Sequence, residues 1–225
     1  MSVIVVSGEG LTIEQIAAVS NGAKVKLSDD AAVLDRIERS RDVIQRAVAA
    51  GEEVYGVTTL FGAMADQHIR PDQIVELQRL ALWQHKTATG PRLPAKDVRA
   101  AMLLRANSLM KGASGIRLEI IDRLVAFLNA GIHPHAFQRG SIGASGDLVP
   151  LSYIGSSILG LDPAFLVDMA GETVDCLTAL KQLGLAPLEP EAKEGLALNN
   201  GTGACTGVSA NAASRALSLT AVAMG

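Results

Sequence analysis

Apolar residues recur at helical spacing along most of the 225-residue chain. Val33, Ile37, Ile44 and Val48 follow a Ser28-Asp29-Asp30 cluster suited to capping a helix N-terminus, and Gly51 marks the end of that helix. Ile74, Leu77 and Ala81 carry a second helix from Pro71 to about His85, with proline well placed in the first turn. The same spacing predicts a short helix over residues 11–19 and longer ones over 95–110, 116–130, 147–160 and 208–224. Residues 178–183 form a shorter one, followed by a linker around Pro187 and Pro190. Residues 3–6 read as a strand, and 165–174, with Ala170-Gly171 at the centre, as a small hairpin. The expected fold is mainly α, a long-helix bundle core with a small N-terminal α+β part. Residues 208–224, rich in Ala and Leu, read as a buried helix. A chain that stops inside such a helix is expected to be incomplete.

Composition narrows the function. Hydrophobic residues make up 48% of the chain and charged ones 19%, which fits a globular domain. Aromatics at 3% and a net charge of -3 offer neither stacking platforms nor a basic surface, so nucleic acid is an unexpected partner. The longest apolar tract at the C-terminus, residues 216–224, is too short to span a bilayer and is broken by Ser218 and Thr220, so no membrane is expected. No signal-like leader opens the sequence, and two cysteines, Cys176 and Cys205, give no disulfide framework. A reduced, cytoplasmic setting fits, with both thiols expected buried and unreactive. His133-Pro134-His135 has no third ligand nearby, so it is read as closing a helix and no metal is expected. His68 reads as a surface residue, and Arg36, Glu38, Arg39, Arg41 and Asp42 as a solvated helix face.

Three polar, small-residue turns interrupt the helices at residues 55–65, 140–147 and 199–203. Each alone could be an ordinary connection. The middle one holds Gly143-Ala144-Ser145-Gly146-Asp147. Small neighbours let the Gly146 amide nitrogen approach the Ala144 carbonyl carbon. Closure with loss of water, then loss of the Ser145 hydroxyl as water, gives an exocyclic alkene conjugated to a five-membered imidazolone. That is an electrophile, which ordinary side chains do not supply. Ala-Ser-Gly alone is weak evidence, because it recurs at Ala113-Ser114-Gly115.

The longer context separates the copies. The run from Gly140 through Asp147-Leu148-Val149-Pro150-Leu151-Ser152 resembles the signature of the histidine/phenylalanine/tyrosine ammonia-lyase family. Tyr55-Gly56-Val57-Thr58-Thr59 with Phe61-Gly62 resembles its tyrosine loop, and Asn200-Gly201-Thr202 its Asn-Gly-Thr turn. Residues 99–108 and 112–117 match as well. The resemblance, closest to bacterial phenylalanine and tyrosine enzymes, covers the whole chain but less than half of a full-length member. It implies an ammonia-lyase/fumarase-like fold, of which this is the N-terminal portion of one domain. About 1–140 would carry the tyrosine loop, and about 141–225 would begin the bundle core.

It also implies a 4-methylidene-imidazol-5-one formed from Ala144, Ser145 and Gly146, and no metal. Tyr55 would be the acid/base. Asn200 would bind near the prosthetic group and the substrate carboxylate, Leu196 would line the pocket, and Leu60, Phe61 and Gly62 would flank the substrate. Asp147 would assist cyclisation or cap the following helix. The implied reaction removes ammonia from an aromatic L-amino acid to give a trans-cinnamate-type acid. The implied assembly is a homotetramer whose sites draw on residues beyond Gly225. Aligning Trp83 and Lys86 puts the side-chain-reading pair at Gln84-His85, which matches none of the phenylalanine, tyrosine or histidine patterns. Two polar groups favour a phenol, catechol or imidazole over a bare phenyl ring by about 1–3 kcal/mol per group left unsatisfied. Leu60 stands where the family usually has glycine, so the loop is expected to take another path, because leucine resists positive φ. A 2,3-aminomutase, a histidine ammonia-lyase and an inactive helical relative are the alternatives.

Overall fold

The computed structural model describes residues 3–143 and 146–225. Ala144 and Ser145 lie outside the described residues.

The capping signals do what the side chains allow. Thr12 and Gln15 close a reciprocal capping box at the start of α1 (Ile13–Ser20), and Asp30 accepts from the Ala32 amide at 2.9 Å to open α2 (Ala31–Ala49). Around α1, β1 (Ile4–Val6) pairs in parallel with β2 (Val25–Leu27). A short 3-10 turn, Pro71–Gln73, leads into α3 (Ile74–Trp83). Then come β3 (Thr89–Arg92), α4 (Ala95–Leu109), α5 (Leu118–Ala130), β4 (His133–Pro134) and β5 (Phe137–Arg139). The last stretch holds α6 (Leu148–Leu159), the hairpin β6 (Leu166–Met169) and β7 (Glu172–Asp175), α7 (Cys176–Gln182), α8 (Glu194–Asn199) and α9 (Gly203–Met224). Mainly α is therefore correct.

α4 runs through the centre, with Val98, Ala100, Ala101, Met102, Leu103 and Ala106 all buried. The first half of α9 lies directly on it. A Cβ on Gly207 would come within 2.9 Å of Ala100, so glycine is what permits this close crossing. Arg99 fixes the packing around α4, donating to the Val19 carbonyl at 2.7 Å and the Leu128 carbonyl at 2.8 Å. Asn107 accepts from the Gly8 amide and donates to the Glu9 carbonyl, tying the N-terminal segment to the same helix. The 99–108 motif is thus largely a set of clamps on orphan backbone groups.

Several expectations change. The second half of α9 is not buried: Leu217, Leu219, Val222 and Met224 are 57–80% exposed, because no described element packs on them. Cys176 is buried, and burial pushes its thiol up to about 11, whereas Cys205 is exposed. The helical face around Arg36 is not simply solvated, since Arg36 donates to the Lys111 carbonyl at 2.7 Å and Arg41 pairs with Glu191 at 2.8 Å. His133 and His135 do not close a helix. His133 lies in β4, and just past that strand His135 meets Asp168 at 2.8 Å. The short strands β2, β3 and β5 and the helix α8 were hidden by their length.

Candidate active site

Tyr55, Phe61, Gly62, Gln84, His85 and Leu196, which lie on three separate stretches of sequence, line one pocket of about 260 Å³ together with Ala81, Leu148 and Asn199. Tyr55 is half exposed, and its hydroxyl oxygen accepts from the Gly62 amide at 3.0 Å. Phe61 meets it edge to face, with ring centroids 6.2 Å apart. The turn that aims the tyrosine needs glycine at position 56. There φ is +66°, and a Cβ would lie 2.5 Å from the Phe61 ring. Leu60 does not have to take positive φ, since among the described non-glycine residues only Ala170 and Lys193 do. Its amide donates to the Gln67 carbonyl, and it is not among the pocket-lining residues.

Gln78, which sequence reasoning missed, holds the pocket's two walls together. It is fully buried, donating Nε2 to the Gly56 carbonyl at 2.8 Å while Oε1 accepts from the Leu196 amide at 3.3 Å. Its position four residues after Ile74, on the apolar face of α3, was the available signal. α8 is held from its other end by Glu194, which is 1% exposed and paired with Arg117. That hydrogen-bonded partner keeps the Arg117 guanidinium above its usual range despite burial.

At the end of α3, the Ala81 carbonyl accepts from both His85 Nδ1 and Asn199 Nδ2, each at 2.7 Å. A carbonyl can only accept, so Nδ1 must carry a hydrogen. In the neutral ring Nε2 is then a bare acceptor. Gln84 is exposed at the pocket rim, whereas His85 is half-buried.

Gly146, the described end of the electrophile triplet, lies against the Asn-Gly-Thr turn. Its φ is +143°, and a Cβ there would come within 2.6 Å of the Gly201 nitrogen and 3.2 Å of Asn200 Oδ1. The next amide, Asp147, donates to the Gly201 carbonyl at 2.7 Å. Asp147 does not cap its own helix: it makes no side-chain hydrogen bond to α6. Its buried carboxylate instead accepts from the Cys205 amide at 2.7 Å, in the first turn of α9. The N-termini of α6 and α9 therefore converge at residues 146–147. Asn200 sits in that junction and is not among the residues lining the pocket. A backbone held where only glycine fits, over two helix N-termini, suits a cyclised Ala-Ser-Gly triplet.

A mainly helical chain with glycine-bearing turns gathered beside an aromatic-lined pocket has the architecture of solved aminomutase and ammonia-lyase structures. The tyrosine aminomutase from Streptomyces globisporus superposes with a TM-score of 0.88 at 34% identity, over 96% of this chain and 40% of that one. The chain belongs to the aromatic amino acid lyase family, whose profile matches residues 11–225. An aromatic ammonia-lyase from Loktanella atrilutea is 65% identical over 99% of this chain and 41% of its own length. A phenylalanine ammonia-lyase from Nostoc punctiforme is 50% identical over the whole chain and 40% of its own. The chain thus spans about two fifths of the relatives it matches.

Proposed function

We propose that the protein is an ammonia-lyase that eliminates ammonia from an aromatic L-amino acid to give a trans-α,β-unsaturated acid. The observation that carries this is the shared pocket: the Tyr55 hydroxyl, the His85 ring and Leu196 line it together with Leu148, two residues past Gly146. The imidazolone built from Ala144, Ser145 and Gly146 would supply an electrophilic carbon that makes the substrate amine a better leaving group. The chain's own residues supply the rest. Tyr55, its oxygen held by Gly62, exchanges the proton between pocket and substrate. Asn200 and the paired helix N-termini stabilise negative charge beside Gly146. Phe61 and Leu196 exclude water around the ring of the substrate.

Substrate choice follows from the tautomer of His85. With Nδ1 donating to Ala81, the ring offers Nε2 to a hydrogen-bond donor on the substrate, such as a phenol or an imidazole N–H, and leaves it unpaired beside phenylalanine. Tyrosine-like substrates are favoured. We place the reaction in a cytoplasmic homotetramer whose sites draw on residues beyond Gly225.

The test is a substrate panel read by ultraviolet absorbance of the unsaturated acid, with chromatography for β-amino acid. Cinnamate-type acid from L-tyrosine, absent in Ser145→Ala, supports the reading. β-Amino acid as the main product would replace it with a 2,3-aminomutase, the activity named for the S. globisporus structure.

A further inference from the structure

Three buried arginines lie in or beside the central helices, and two have obvious work. Arg99 donates to backbone carbonyls on two neighbouring segments. Arg123 pairs with Glu119 and donates to the Ile158 carbonyl. Arg105 differs. It is 6% exposed, its Nε has no hydrogen-bond partner, and among the described residues its guanidinium makes neither a hydrogen bond nor an ion pair. A buried guanidinium nitrogen without a partner calls for a reason.

Its surroundings give one. Nη1 packs directly beneath Gly201, so closely that a Cβ on that glycine would lie 2.1 Å from it. The nitrogen and oxygen of the same Gly201 also crowd Gly146. The Asn-Gly-Thr turn is therefore in close contact with both the guanidinium and the last residue of the electrophile triplet, and neither contact leaves room for a side chain. The N-termini of α6 and α9 add their positive ends at the same point, and Asp147 makes no ion pair with Arg105. Burial pushes the guanidinium down to about 10, which leaves it charged at neutral pH.

We propose that Arg105 is a positioning residue for making the electrophile: wedged beneath Gly201, it presses the turn against Gly146 and sets a positive charge under the site of ring closure. This rests on the reading of Ala144-Ser145-Gly146 given above. In closure the Gly146 nitrogen bonds the Ala144 carbonyl carbon. That oxygen takes on negative charge, then leaves as water with the Gly146 and Ser145 amide hydrogens, and a C=N bond remains. The Ser145 hydroxyl next leaves as water with the Ser145 Cα hydrogen, forming the alkene. No oxidant is needed. The first step gains from a nearby cation in a dry site, and from a turn that cannot retreat.

The experiment follows freshly synthesised protein by intact mass, with near-ultraviolet absorbance of the conjugated ring and thermal unfolding alongside. Wild type is expected to lose two waters. Arg105→Met is expected to fold, since it replaces a buried charge with an unbranched apolar side chain, and to lose those waters at least about ten-fold more slowly. Arg105→Lys, which keeps the charge without the flat wedge, should fall between. A folded Arg105→Met that cyclises at the wild-type rate overturns the proposal. If Arg105→Met does not fold, Gly201→Ala decides, because it keeps the charge but forces the guanidinium away. Wild-type rates in both Gly201→Ala and Arg105→Lys would then sink it. A wild-type protein that never loses water removes the electrophile reading itself, a different result from any of these.

Discussion

Ala-Ser-Gly occurs twice in this chain, and the two copies end in glycines with opposite surroundings. Gly115 has φ +68°, presses against Ile44 of α2, and donates its amide to Ser40 Oγ at 3.0 Å. Together with Gly112, which backs onto Arg36 and Ile37, it clamps α2 to the core. Gly146 has φ +143° and rests on the Asn200–Gly201 backbone where two helices begin. One glycine's nitrogen is committed to holding a helix in place. The other lies beside a turn that crowds it and a field that favours negative charge. The tripeptide supplies the atoms, and the neighbouring backbone decides whether they have chemistry to do.

The sharpest way to break this contrast is to remove each serine. Ser145→Ala leaves no hydroxyl to expel, so no alkene can form, and turnover should fall by about a thousand-fold or more, with one water at most lost from the intact mass. Ser114→Ala should leave both mass and turnover unchanged. Equal losses from the two variants would mean that the copies are not distinct.

Replacing the glycines comes next. Gly146→Ala puts a methyl 2.6 Å from the Gly201 backbone, which cannot yield as a side chain can, so cyclisation should stall. Gly115→Ala meets Ile44 at 2.3 Å, a side chain able to shift, and should cost about 1–3 kcal/mol for strain at positive φ, with the water loss intact. Denaturant melts and intact mass, measured on the same samples, separate the two outcomes.

Why the sequence revealed some of this and not the rest follows from range. Helices α1 to α6 were legible because their periodicity and start signals are local, as with Asp30 before α2 and Pro71 in the turn before α3. The pocket residues were legible only through motif resemblance. What stayed hidden is long-range. Nothing near Asp147 in sequence says that its carboxylate caps α9, 58 residues on, and not α6. Gln78 gains its role only from the Gly56 carbonyl and the Leu196 amide, 22 and 118 residues away in sequence. α9 was read as buried from composition alone, but composition cannot say whether a neighbour exists to cover it.

Asp147 tests the junction on the active side of the comparison. Asp147→Ala strips the Cys205 amide of its acceptor and the α9 N-terminus of its charge, and should lower stability by about 1–2 kcal/mol. Asp147→Asn keeps an acceptor and should cost about half as much. For a chain of this size, 1 kcal/mol moves Tm by about 2–4 °C. If neither variant shifts Tm, the link between α6 and α9 contributes nothing to stability.

The smallest expected effect is the most discriminating. Ser40→Ala removes the acceptor that holds the Gly115 amide and should cost about 1 kcal/mol, a few degrees in Tm. It also frees the one nitrogen that corresponds to the Gly146 nitrogen in the other copy. If a free amide beside Ala-Ser were enough, this variant would lose two waters more than wild type. No further loss is expected, because Gly115 would still be pinned at φ +68° against Ile44, with neither a turn pressing on it nor helix N-termini beneath it. Extra water loss from Ser40→Ala would show that the hydrogen bond to Ser40 alone keeps the second copy inert, and that the stacked surroundings of Gly146 are dispensable.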